Sequence, residues 1–169
     1  MADLDTDQAI SEGQLRRHYG LSTTDLPSDF KFVNAFLAPS QGSLDYQQVR
    51  FIGLSARVKR LEGSSLRHLA GIAEMRHILG ADRNVWVSLA AARRKPRMPD
   101  ALWKTARGSV AIEYDIGSYS PKQIRDKAMD FRRYSDQLWG TSSRERARHL
   151  SHLLRQLSHR HTVHYAPWC

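Results

Sequence analysis

Hydrophobic residues recur along this chain at two different spacings, and each spacing predicts a different kind of element. Residues 99–104 and 109–115 are rich in β-formers and flank a short polar loop, which predicts a β-hairpin. Short apolar runs predict further strands at 85–87, 137–141 and 162–166. Apolar residues three and four positions apart predict helices at 66–79, from 121 to about 135 and from 142 to about 158.

Capping residues mark where these helices begin and end. Ser64 or Ser65 is the predicted N-cap of the first helix, and Gly80 its stop. Capping boxes begin the other two, Ser120 with Gln123 and Ser142 with Glu145. The predicted order is helix, three strands, helix, strand, helix, strand, in an α/β (α+β) fold with a mixed sheet over residues 64–169.

Residues 1–63 are predicted to form a small N-terminal extension of this main domain. The first 13 residues are polar and acidic, which predicts disorder or the lead-in to a helix, and 14–19 is a short basic helical segment. An apolar piece follows at 30–37. Residues 46–61 fit either strands or a helix, and the pattern does not decide between them.

Three carboxylates are predicted to converge at the open end of the hairpin. With a turn centred near Ala106 and Arg107, antiparallel pairing sets Asp100 opposite Glu113, with Cβ atoms about 5 Å apart. Asp115 lies on the same strand face as Glu113, because side chains alternate along a strand. Like charges at this range repel, and a hard cation such as Mg²⁺ or Mn²⁺ would relieve the repulsion.

A lysine interrupts the apolar side of the helix that follows. Ile124, Ala128 and Phe131 form a core stripe, and Lys127 lies between them. A lysine on a core-facing surface either extends to solvent or meets acids. The simpler alternative is a hairpin with exposed charges and Lys127 as their salt-bridge partner.

These residues resemble the motifs of the PD-(D/E)XK nuclease superfamily. The resemblance rests on Pro99-Asp100, on Glu113-Tyr114-Asp115 and on Lys127 in the next helix. When the 68–74 segment and Trp86-Val87 are added, the chain resembles, more narrowly, the replication-relaxation proteins of plasmids and phages. It covers roughly residues 65–145. It implies a restriction-endonuclease-like αβββαβ core, here with an extra C-terminal helix and strand.

The resemblance also implies roles for individual residues. Asp100, Glu113 and Asp115 would be catalytic and bind Mg²⁺ or Mn²⁺, and Lys127 would supply the ammonium that the motif usually places two residues after the second acid. Asp115 occupies that position here. Glu74 on the first helix is either a further metal ligand or a solvent-facing glutamate. The family also places a winged helix before the core, so residues 1–63 are a degenerate winged helix or a structural extension.

The net charge of +9 favours an acidic partner such as DNA. The basic residues predicted to contact DNA lie in one loop and along the last helix: Arg93, Arg94, Lys95, Arg97, Arg144, Arg148 and Arg155. The only cysteine is Cys169, which excludes an internal disulfide and fits the cytoplasm. Five histidines between His149 and His164 have spacings that match no common zinc site. No apolar run is long enough to predict a membrane span.

The sequence therefore supports two main functions. The first is a metal-dependent DNA endonuclease of a mobile element that hydrolyses phosphodiester bonds, and the second is a catalytically inactive DNA-binding regulator of replication or transcription. A third reading is an interaction subunit whose site is completed by a protein partner. The partner would be a second protein or, in a homodimer, another copy of this chain.

Overall fold

Helices and strands alternate through most of the chain. The computed structural model describes residues 2–40, 44–89, 98–157 and 160–169. Its α-helices are α1 (Ala2–Asp7), α2 (Glu12–Tyr19), α3 (Gly63–Ile78), α4 (Pro121–Asp130) and α5 (Arg144–Arg155). Its strands are β1 (Ile10–Ser11), β2 (Lys31–Leu37), β3 (Gln47–Gly53), β4 (Trp86–Ser88), β5 (Ala101–Thr105), β6 (Gly108–Tyr114), β7 (Asp136–Thr141) and β8 (His161–Tyr165). None of the helices in the described ranges has the length and apolar character to cross a membrane.

The larger sheet has five strands in the order β4-β5-β6-β7-β8. The first three are antiparallel, whereas β6, β7 and β8 are parallel. Each parallel connection contains a helix, α4 before β7 and α5 before β8, as parallel pairing requires. The predicted mixed sheet and its order of elements, from α3 to β8, are therefore confirmed.

The extension contributes a second sheet, in the order β1-β3-β2 with antiparallel pairing. Residues 47–53 form a strand and Ala56–Arg60 a 3-10 helix, which resolves the ambiguity over 46–61. The expectation of disorder near the N-terminus is wrong for the described part. Helix α1 and strand β1 form there because Leu4, Ala9 and Ile10 are buried.

The extension packs directly on the main sheet's first helix. Phe51 and Val58 share a hydrophobic cluster with Leu69 of α3 and Tyr114 of β6. Buried charges reinforce the contact, since Arg76 of α3 donates two hydrogen bonds to Asp7, at 2.6 and 3.1 Å. Residues before and after position 63 therefore bury apolar surface against each other.

Two of the predicted helix caps need correction. Helix α3 begins at Gly63, before both predicted caps, because the Glu62 carbonyl already accepts the Leu66 amide at 3.0 Å. Helix α5 is capped by Ser143, whose Oγ accepts the Arg146 amide, because the Ser142 hydroxyl donates to the Pro39 carbonyl instead. The capping box at Ser120 is present as predicted, and Gly80 has the left-handed backbone, with φ of 60°, that ends α3.

Helix α3 crosses the sheet closely because two glycines leave room for a tyrosine ring. A Cβ at Gly71 would lie 2.1 Å from the ring of Tyr114, and one at Gly140 would lie 2.4 Å from Sδ of Met75. Tyr114 is fully buried, and its hydroxyl donates to the Ala166 carbonyl at 2.7 Å. The ring therefore has no space to move away from an added methyl group.

We expect Gly71→Ala to destabilise the protein by about 1–3 kcal/mol or more, because overpacking against a fixed ring outweighs the better helix propensity of alanine. Gly13→Ala, in α2, is the matched control, since nothing lies closer than 3.7 Å to its added Cβ. It should be neutral or stabilise by up to about 1 kcal/mol. Urea unfolding followed by circular dichroism measures both changes, and equal stabilities would contradict the close packing at Gly71.

Candidate active site

The β5–β6 hairpin brings two carboxylates together at its open end. Its register pairs Ala101 with Ile112 and leaves Ala106 and Arg107 as the turn, as predicted. Continued by one residue, this register sets Asp100 across from Glu113. The Tyr114 amide donates to Asp100 Oδ2 at 2.8 Å, so the side chain of Asp100 takes the place of a strand acceptor. Asp100 and Glu113 are 3% and 1% exposed, so the alternative of a hairpin with exposed charges is wrong about exposure, although Lys127 does form the salt bridge with Glu113 that it predicted.

Glu113 is held by two donors on the same oxygen. Lys127 Nζ lies 2.7 Å from Glu113 Oε1, and the Tyr119 hydroxyl donates to the same oxygen at 2.7 Å. The other carboxylate oxygen, Oε2, is buried and has no hydrogen-bond partner among the described residues. Both donors therefore contact Oε1, and Oε2 has no donor among the described residues.

Helix α4 directs Lys127 inward. Ile124, Ala128 and Phe131 are buried as the core stripe predicts, and this turns the side chain of Lys127 toward the sheet with 19% of its surface exposed. Its ammonium lies 5.0 Å from the centre of the Tyr119 ring and 5.7 Å from that of Phe131. Both rings lie within the range at which an aromatic face attracts a cation.

The two acids share a strained electrostatic environment. Burial raises the pKa of Glu113, and the neighbouring charge of Asp100 raises it further. Lys127 and Tyr119 act in the opposite direction, and the balance leaves the pKa of Glu113 at about 8, against an ordinary value of 4.5. Because the pKa is higher in the folded state, the folded protein is more stable at low pH than at high pH. This contribution to stability is fully present below pH 4.5 and is lost as the pH rises through about 8. Ionising Glu113 therefore costs folding stability.

Asp115 belongs to a neighbouring cluster. It is fully buried, and its Oδ2 accepts from Nε of Arg146 at 2.7 Å and lies 2.6 Å from the NH2 nitrogen of the same guanidinium. Its Oδ1 accepts the Gly117 amide at 2.8 Å. Asp115 thus shapes the loop after β6. Asp115 was predicted to share one cation with Asp100 and Glu113. In the structure its carboxylate is paired with the guanidinium of Arg146.

Glu74 lies in a different cluster from the hairpin acids. Its Oε2 accepts from Gln14, Arg17 and His18 at 2.8–2.9 Å, and all three belong to the extension. Burial by itself would raise the pKa of Glu74, but hydrogen bonds from His18 and Gln14 outweigh it and lower the pKa. Its oxygens are engaged in fixing α2 to α3, and it is buried, not solvent-facing.

The first helix does contribute to the site, through a residue that was not predicted. His68 Nε2 lies 2.9 Å from Asp100 Oδ1, and the side chain is 9% exposed. His68 and Glu74 are six residues apart, which is about 240° around the helix axis, so they face different neighbours. A histidine on the buried side of α3 is the signal that would have identified it. Tyr119 and Arg146 were also missed, because only the folded loop and α5 bring them to the acids.

Comparison of the chain with models of protein families, with curated proteins and with solved structures finds no match. The site is therefore interpreted from its own geometry.

The donor set for a hard cation is small. Within the described ranges no three His, Cys, Asp or Glu side chains are grouped to hold a metal ion. Magnesium, however, is often held by only one or two carboxylates, with water and substrate phosphate completing its shell. The buried Glu113 Oε2 that lacks a partner, beside Asp100, fits such a site.

The predicted DNA-contacting residues fall into two groups. Arg144, Arg148 and Arg155 lie on the exposed side of α5, opposite the buried Leu150 and Leu154. Arg93, Arg94, Lys95 and Arg97 lie outside the described residues. Helix α5 therefore presents a basic side to solvent, as its periodicity predicts.

We expect Asp100→Asn to lower the pKa of Glu113 from about 8, because it removes a neighbouring negative charge and keeps an oxygen for the Tyr114 amide. The pKa should stay above 4.5, since Glu113 remains buried. Asp126→Asn, on the exposed side of α4, is the control and should leave it unchanged. NMR titration of the Glu113 side-chain carboxyl carbon measures the shift. An unchanged pKa in Asp100→Asn would contradict the coupling.

Proposed function

We propose that this protein is a metal-dependent DNA endonuclease whose centre consists of Asp100, Glu113 and Lys127. The observation that carries the proposal is the contact of Lys127 Nζ with the buried Glu113 carboxylate, 2.7 Å apart, beside Asp100. A partly buried ammonium next to two buried, opposed carboxylates is costly to maintain for structure alone. Perturbed ionisable groups of this kind cluster at functional sites.

The order of elements around the centre supports this proposal. Helix α3, the antiparallel strands β4–β6, helix α4 and the parallel strand β7 follow the αβββαβ order that the resemblance to PD-(D/E)XK nucleases implies. The acids come from the hairpin and the lysine from the helix after it. Lys127 would then take the place of the lysine that Asp115 replaces in the strand motif.

Asp100 and Glu113 would hold Mg²⁺ or Mn²⁺, which when bound polarises a phosphodiester and lowers the pKa of a bound water. The protein's own groups have separate tasks. Lys127 would reduce the cost of ionising Glu113 and offer a proton donor to charge that develops on the phosphate. His68 and the Tyr114 amide orient Asp100 from two sides. Arg146 fixes the loop that carries Tyr119, since it also donates to the Tyr119 carbonyl.

We expect Lys127→Met to reduce plasmid cleavage by about 10²-fold or more, as loss of a charge-stabilising donor does in other enzymes. Lys122→Met is the matched control on the same helix, because its side chain is 83% exposed and pairs only with Asp126 among the described residues. The assay follows nicking of supercoiled plasmid with Mg²⁺, with Mn²⁺ or with EDTA. Circular dichroism checks that both variants fold.

Asp100→Asn and Glu113→Gln should lose activity to a similar extent, whereas Asp126→Asn should retain it. Cleavage by Lys127→Met at the wild-type rate would refute the assignment of the lysine. Absence of cleavage by the wild type with either metal would refute the enzyme.

A DNA-binding regulator that does not cleave is the second candidate. It is favoured by Asp115, which is paired with Arg146 where the motif would place a lysine, and by the extent to which the acids already have partners within the protein. Such contacts hold three of the carboxylates in place without a metal. The exposed arginines of α5 would then bind phosphates through charge alone.

Calorimetry with Mg²⁺ and Mn²⁺ separates the two candidates. For the endonuclease we expect metal binding in the millimolar range or tighter, and we expect it to be lost in Glu113→Gln. For the regulator we expect no heat of binding, together with salt-dependent binding of DNA in EDTA. Metal binding that survives in Glu113→Gln would place the ion elsewhere.

A further inference from the structure

A cavity of about 450 Å³ lies between the extension and the main sheet. Leu54 and Val58 line it from the extension, Ser65 and His68 from α3, and Ile116 and Tyr119 from the loop after β6. The proposed reaction at Asp100, Glu113 and Lys127 does not use this cavity. Its position makes it an approach to the centre from the side of the extension.

Two residues that line the cavity also hold the candidate catalytic acids. His68 contacts Asp100 at 2.9 Å, and Tyr119 donates to Glu113 at 2.7 Å. Both therefore have one side toward the cavity and the other toward a carboxylate. A molecule bound in the cavity would lie within one side chain of the centre.

The walls combine an apolar part with a polar part. Leu54, Val58, Leu61 and Ile116 offer apolar surface, and the rings of Tyr114 and Tyr119 lie among them. Such walls suit a planar aromatic group, since base–aromatic contacts are favourable and tolerate any base.

The polar part suits a phosphate together with the edge of a base. It contains Arg57 and the first turn of α3 at Ser64 and Ser65, where Glu62 provides no side-chain cap. Amides at such a turn, with a guanidinium nearby, favour an anion. Gln8 lines the cavity as well, and its Oε1 is buried without a hydrogen-bond partner among the described residues. Asp5 also lines it and disfavours a phosphate at its own position.

The volume limits what can enter. About 450 Å³ lies in the range of sites that enclose one small molecule. It admits one nucleotide but not a base pair within a duplex. Enzymes that enclose one base take it from a single strand or out of the stack.

We infer that the cavity binds one unpaired nucleotide of a DNA strand, next to the phosphate presented to Asp100 and Glu113. The inference rests on the proposed function and narrows its substrate class. The substrate is then single-stranded DNA, or a duplex with an unpaired nucleotide at the site of cleavage.

Binding assays without metal test this independently of cleavage. Fluorescence anisotropy in EDTA compares a single-stranded oligonucleotide with a blunt duplex of the same sequence, and the single strand should bind about tenfold more tightly. A 2-aminopurine in the strand should change in fluorescence on binding, because an enclosed base loses its stacking neighbours.

Two pairs of variants locate the binding site. Ser65→Trp fills the cavity from an exposed position, and Ile78→Trp is its control at the far end of α3. Arg57→Gln is paired with Arg60→Gln, which lies in the same 3-10 helix but outside the cavity lining. We expect Ser65→Trp and Arg57→Gln to weaken single-strand binding by about tenfold, in the range of one lost base contact, and the controls to leave it unchanged.

Each outcome decides between the inference and its alternatives. Wild-type affinity in both cavity variants, or equal affinity for single strand and duplex, overturns the inference even if plasmid is cleaved. If only free deoxynucleoside monophosphate binds, the cavity is a small-molecule site and the strand is excluded. Loss of single-strand binding in the cavity variants, with no cleavage by the wild type, supports the cavity and refutes the endonuclease.

Discussion

Two buried carboxylates that face each other across a hairpin are the constraint on which the surrounding structure depends. Asp100 and Glu113 have almost no exposed surface, so solvent does not screen their repulsion. The fold surrounds them with donors: His68 and the Tyr114 amide at Asp100, and Lys127 and Tyr119 at Glu113. Even so, the pKa of Glu113 stays near 8, which shows that the compensation is incomplete. The remaining electrostatic cost is what a bound cation would relieve.

Helix α3 connects this centre with the rest of the protein. One side carries His68 to Asp100, a second carries Glu74 and Arg76 to buried partners in the extension, and a third lies against Tyr114 at Gly71. The same helix therefore contacts both the extension and the site. The cavity next to His68 lies at this junction.

Lys127 reaches Glu113 from a helix, and the packing around the two residues gives the physical reason. Asp115 is directed into a pair with Arg146, which leaves the position beside Glu113 open to a cation from another element. Lys127 reaches it from α4, because that helix packs its apolar side on the sheet. The ammonium that contacts Glu113 thus comes from α4 and not from the strand that carries the carboxylate.

Periodicity and turn chemistry determine the elements that depend on neighbours in sequence. The hairpin register, the Ser120 cap and the buried stripe of α4 follow from residues within a few positions of each other. The convergence of Asp100, Glu113 and Lys127 could therefore be predicted from sequence. The ion pair of Asp115 and the hydrogen bonds of Glu74 could not be predicted from sequence, since their partners Arg146 and Gln14 are 31 and 60 residues away. A buried charge takes whichever counter-ion the packing brings to it, and sequence spacing does not encode that choice. For the same reason only the tertiary structure revealed His68 and the cavity.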